Sequence, residues 1–215
     1  MVAVHLKGDK HCFIHSSLLC RHSKRFAASL KGQFAESKNL EIHLPEECPD
    51  LFSLFVKYLY CSVMTDPTNP LSLPWWPYIS LLNLAQLYVM AERFVADDFK
   101  AAITALFKIR CPRPECLRND DICELLQLAC EEIVEGPHQE EDFLRNLIFW
   151  GAATRLNGPR GTCGLRKSTK FQDLLLAHPE LGKELCLRMC EGSSHVSPTP
   201  FDGSNSFPFH VQHGH

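Results

Sequence analysis

The residues of this chain best suited to chemistry are its thiols and imidazoles, eleven of each. Cys111, Cys116 and Cys123 fall close enough together to raise the question of a soft metal site. Structural zinc takes two tight pairs of ligands, each pair spaced by about two to four residues. Here four residues separate the first two thiols and no second pair follows at a proper distance. His210, His213 and His215 make a His-rich tail of the kind that is loosely chelating or simply solvated. His15 and His43 sit at the ends of predicted strands and read as structural. Gly158, Gly161 and Gly164 recur at even spacing, but a phosphate cradle needs a strand before the loop and none precedes it. No nucleophile elbow, dinucleotide fingerprint or paired-His zinc-protease motif occurs. The residues therefore predict no catalytic site, metal or cofactor, with an enzyme or metal-binding protein as the remote alternative.

Recognition of another protein is the other chemistry on offer. Trp75 and Trp76 are adjacent in the stretch from Thr65 to Pro77, which holds four prolines and cannot be helix. Aromatic anchors dominate binding hot spots, so an exposed recognition loop is one reading. The other is that both rings fold back and cap the core. Met64 precedes this loop, and Phe55 and Tyr58 lie on the apolar helix before it. Trp75, Trp76, Phe55, Tyr58 and Met64 are the candidate partner-binding residues.

Charge narrows the partner class. With 22 basic against 25 acidic residues the net charge is −3, and Lys and Arg do not cluster, so nucleic acid is not expected. Apolar runs fall short of the roughly 18 residues needed to span a membrane. Charge interrupts the first apolar residues, which excludes a signal peptide reading. Without one, the cysteines are expected to be reduced thiols and the protein to reside in cytoplasm or nucleus.

The elements that must position these residues follow from periodicity. Val2, Val4 and Leu6 alternate as a half-buried strand, Gly8-Asp9 turns, and Cys12 to His15 returns as a hairpin. Ser16 and Ser17 are expected to cap a short helix, and Ser23 restarts a second carrying Phe26, Ala27, Leu30 and Phe34. Leu40, Ile42 and Leu44 alternate as a third strand stopped by Pro45. Pro49 opens a helix with Leu51, Phe52, Phe55, Tyr58 and Leu59 as a wide apolar stripe. Helical spacing resumes from Tyr78 to Phe94 and from Phe99 to Ile109.

In order, these segments resemble the BTB/POZ family, in particular the version abundant in filamentous fungi. The resemblance is carried by Phe13-Ile14-His15 with Leu18-Leu19-Cys20, by Ser23 with Phe26-Ala27-Ala28-Ser29-Leu30, and by Phe34-Ala35-Glu36-Ser37. It continues through Ile42-His43-Leu44-Pro45-Glu46, the Phe52 to Tyr60 helix, and Leu84 to Phe94 followed by Phe99 to Leu106. The family implies an α+β, helix-predominant fold, a small three-stranded sheet flanked by helices, over residues 2–110. It implies a non-catalytic protein–protein interaction module whose partner is another protein, itself or a cullin.

Three departures bear on the partner. The extra upstream strand and helix through which many members dimerise is not expected here. The charged pocket of other members lacks its Asp, and Ser16 stands where a basic residue follows the His matching His15, so corepressor-type recognition is not expected. The loop after the Pro49 to Tyr60 helix contains no Glu, whereas cullin-binding members often carry a hydrophobic-x-Glu motif there. Residues 111–191 are expected to form a helical extension that could take the place of an adaptor's supporting helix pair. Within it Gly158 to Thr169 reads as loop, and His178-Pro179 as a helix break. Residues 192–215 read as a disordered tail.

Overall fold

The computed structural model describes residues 1–32, 35–61, 78–111, 119–133, 143–157 and 164–194. The chain opens as a hairpin, β1 (Val2–Leu6) and β2 (His11–Ile14), joined by a tight turn in which Gly8 and Asp9 adopt φ of 70° and 55°. Two short helices follow, α1 (Ser16–His22) and α2 (Lys24–Lys31), then α3 (Ala35–Asn39) and β3 (Glu41–Leu44). β1 lies in the middle of the sheet, antiparallel to β2 and parallel to β3. Val2, Val4, Leu6, Ile14, Ile42 and Leu44 all point to one buried face, as period-two alternation requires.

Against that face pack α4 (Pro49–Cys61), α5 (Leu81–Arg93) and α6 (Asp97–Arg110). Their centre is aromatic. Phe94 is fully buried, with ring centroids 4.8 Å from Phe26, 5.4 Å from Phe55 and 6.1 Å from Phe52, and Phe99 lies 5.0 Å from Phe55 and 4.7 Å from Tyr58. Tilted and edge-on pairs of this kind add about 0.5–1.5 kcal/mol each beyond the area they bury. Ser23 ties the α1–α2 corner to this centre. Its hydroxyl accepts from Phe26 N–H at 3.1 Å, capping α2, and donates to the Phe94 carbonyl at 2.5 Å.

The helical half consists of α7 (Asn119–Glu131), α8 (Phe143–Asn157), the single turn α9 (Gly164–Lys167), α10 (Thr169–Ala177) and α11 (Pro179–Ser194). Ile122, Leu125, Leu126 and Ala129 of α7 are fully buried, and α7 packs on α5. The hydrophobic core runs without a break from β1 to α11.

Local details differ from the sequence reading at four places. Ser16 and Ser17 do not cap α1: Ser16 is its first residue and His15 precedes it without a side-chain cap bond. Leu40 does not alternate inward with Ile42 and Leu44. It lies before β3 in the left-handed region (φ 55°) with its side chain 46% exposed, because the chain must reverse direction from α3 into the sheet. Its N–H closes α3 on Glu36 O and its carbonyl accepts from Ala3 N–H, so the backbone geometry is held at both ends. Part of the stretch expected as loop is helical, at α9, where Leu165 is buried and the Arg166 guanidinium donates to Leu156 O. Residues 192–194, expected in the tail, instead belong to α11. Phe34, expected on the second helix, and residues 195–215 of the expected tail lie outside the described residues.

Candidate functional site

Two surfaces carry the side chains that could meet another molecule. The first is the outer face of the sheet. Because Val2, Val4 and Leu6 point inward, Ala3 and His5 of β1 point out. Pairing sets Phe13 opposite Ala3 and His11 opposite His5 on β2, and Glu41 opposite Ala3 and His43 opposite His5 on β3. Three imidazoles thus form one row across the sheet. His5 stacks on His43 at 4.6 Å with planes 9° apart, and His11 lies 6.3 Å from His5. Phe13 is 61% exposed, edge-on to His11 at 5.9 Å.

The second surface is where α4 ends. His15 Nδ1 and the Tyr60 hydroxyl are 2.8 Å apart, and the His15 N–H also donates to that hydroxyl at 3.4 Å. The strand end is so fastened to the last turn of α4, with the Tyr60 ring at the surface. When the described chain resumes, Tyr78 is 88% exposed. Two exposed tyrosines therefore bracket residues 62–77.

The candidate residues read from the sequence divide accordingly. Phe55 and Tyr58 are buried among Phe94 and Phe99, so they build the core and do not present a face to a partner. The same stripe that marked them as apolar anchors is the stripe α4 turns inward. Burial pushes the Tyr58 phenol up to about 12. Met64, Trp75 and Trp76 lie outside the described residues.

An ion-pair hub fixes the end of α5. The Arg93 guanidinium reaches Glu47 at 2.9 Å with one nitrogen and Glu132 at 2.8 Å with another. Glu47 is buried and Glu132 half-exposed, so the hub links the approach to α4 with the end of α7. In the helical half, Arg145 and Arg188 both hold Glu184 at 2.9 Å, joining α8 to α11. An open cleft of about 390 Å³ between α7 and α10 is lined by Glu124, Glu131, Lys170, Asp173 and His178. Cys12, Cys20, Cys48, Cys130 and Cys186 are free thiols.

A mixed three-stranded sheet with β1 in the middle, packed on a Phe-centred cluster of helices, is one half of the description. The other is a match to the BTB/POZ domain family over residues 2–107. Residues 2–107 form a BTB/POZ domain. The BTB/POZ match ends inside α6, three residues before that helix does. A comparison with curated proteins finds no match to the chain. BTB/POZ domains are protein–protein interaction modules, which agrees with the sequence reading of an interaction module.

Two features of the site escaped that reading. The histidine row was invisible because outward positions are legible from alternation, but which of them meet depends on the pairing of β1 with β3, more than thirty residues apart. In the sequence Tyr60 and Tyr78 stand only as the end of one predicted helix and the start of the next. Their exposure follows from where α4 stops and α5 starts.

Proposed function

We propose that this chain captures a protein partner through its BTB/POZ domain, using the exposed rings of Tyr60 and Tyr78 together with Met64, Trp75 and Trp76 in the sequence between them. The observation that carries the reading is the pair of exposed tyrosines at the two ends of residues 62–77, on a domain built for protein interaction. Exposed rings with low side-chain entropy are efficient anchors when a partner covers them. The buried α4 stripe supports this surface from beneath and takes no direct part.

A second reading, substrate adaptor of a cullin-type ubiquitin ligase, is favoured by one observation. α7 packs directly on α5, so helices follow the domain core where a supporting helix pair would be needed. Affinity purification of the tagged full chain from its native cells, with quantitative mass spectrometry, distinguishes the readings. A cullin at near-equal abundance makes the chain an adaptor. A different reproducible protein, or untagged copies of the chain, makes it a scaffold or a self-associating module. Loss of every specific partner would defeat the proposal.

A further inference from the structure

We propose that the outer face of the sheet is a binding site for a first-row transition dication of the zinc class, held by His5, Glu41 and His43. The donor atoms of these three side chains all lie within 4.8 Å of one another, and His43 Nε2 stands 3.9 Å from a Glu41 carboxylate oxygen. Two imidazoles and one carboxylate are a donor set that suits zinc and its neighbours and leaves a coordination position for water or an outside group.

The backbone brings the set together without help from any loop. Glu41 and His43 are two residues apart on β3, so both leave the same face. The parallel register sets His43 directly beside His5. The ligands are thus placed by sheet pairing, the most rigid arrangement the domain offers.

The orphaned nitrogen of His5 is an independent sign. His5 Nε2 is buried and has no hydrogen-bond partner among the described residues. A buried polar atom without a partner costs about 1–3 kcal/mol, and native structures seldom leave one without a reason. The ring that carries it is one of the three side chains of the donor cluster, where an ion could satisfy it. Tetrahedral ligation at about 2.0–2.2 Å sets donors about 3.3–3.5 Å apart, so the set must contract. The Glu41 and His43 side chains, 49% and 66% exposed, are free to swing inward, and the stacked rings of His5 and His43 would tilt apart around the ion. His11, beside His5 on β2, is placed to approach the remaining position.

The test is calorimetric titration of Zn2+ into the reduced, chelator-stripped full chain. Two variants accompany it: Glu41→Gln with His43→Ala on the sheet, and His210→Ala with His213→Ala and His215→Ala in the tail. Both sheet positions are exposed, so the first variant keeps the fold, which circular dichroism checks. The expected result is one ion per chain, retained in the tail variant and weakened by about a hundredfold or more in the sheet variant. Loading with Co2+ should give a spectrum of nitrogen and oxygen ligation without thiolate-to-metal absorption. No binding, equal binding by the sheet variant, loss of binding with the tail, or a thiolate spectrum would each overturn the assignment.

Discussion

Removing Arg93 should unfold this protein more readily than its half-exposed position implies. The reason is the asymmetry of its two partners. Glu47 is 5% exposed, whereas the Glu132 side chain is 42% exposed. Breaking a buried ion pair from one side costs about 3–5 kcal/mol, because a charge is left uncompensated out of water. Arg93 is itself 43% exposed, so water reaches the pair from one side and the lower part of that range applies. Arg93→Ala is expected to cost about 3 kcal/mol, nearly all of it through Glu47. Glu132→Gln removes an exposed pair and should cost about 0.5 kcal/mol. Glu47→Gln keeps a hydrogen-bonding side chain and removes the buried charge, at about 1 kcal/mol. The double variant Arg93→Ala with Glu47→Gln should then be more stable than Arg93→Ala alone by about 1 kcal/mol, since no bare carboxylate remains. Urea unfolding followed by circular dichroism gives each value from the midpoint and slope. If neutralising Glu47 rescues nothing, or if Glu132→Gln costs as much as Arg93→Ala, the argument from buried charge is wrong.

Other perturbations read other parts of the molecule. Val95 is a β-branched residue in the left-handed region (φ 50°) and 43% exposed between α5 and α6; Val95→Asn should stabilise by about 1 kcal/mol, and a lower thermal midpoint would refute the strain. Burial holds the Tyr58 phenol at about 12, against about 10 in an unfolded chain. The folded state thus resists ionisation, so the stability linked to Tyr58 is complete below pH of about 10 and is lost as pH rises towards 12. Tyr58→Phe should flatten that alkaline limb in a pH series of urea midpoints, and an unchanged limb would remove Tyr58 from the account. Trp75→Ala with Trp76→Ala should weaken partner capture in the affinity purification while moving the thermal midpoint by only a degree or two; a large fall would instead put both rings in the core.

Much of the architecture was legible because burial imposes a period. Val2, Val4 and Leu6 announce a strand, and Phe52, Phe55, Tyr58 and Leu59 announce a helix face, whatever lies opposite them. The same logic misled at the site. An apolar stripe says that a surface is covered but not by what, and Phe55 and Tyr58 turned out to be covered by Phe94 and Phe99. Leu40 was misplaced for a different reason: its side chain fits the alternation, but its backbone is claimed by the helix it follows. The histidine row and the Arg93 hub were beyond sequence reasoning altogether. Each joins residues far apart along the chain, His5 with His43 and Arg93 with Glu47 and Glu132, and that geometry is decided only when those elements dock.

The continuity of the core has a consequence for how such a protein could be inherited. The recognisable stretch closes at residue 107, inside a helix that runs to Arg110, and the next helix buries Ile122, Leu125, Leu126 and Ala129 against what precedes it. A recombination event that copied only the recognisable stretch would sever α6 and strip the cover from α5. The heritable unit here is longer than the recognisable one, and a shuffled gene that kept the domain would have had to keep its neighbour.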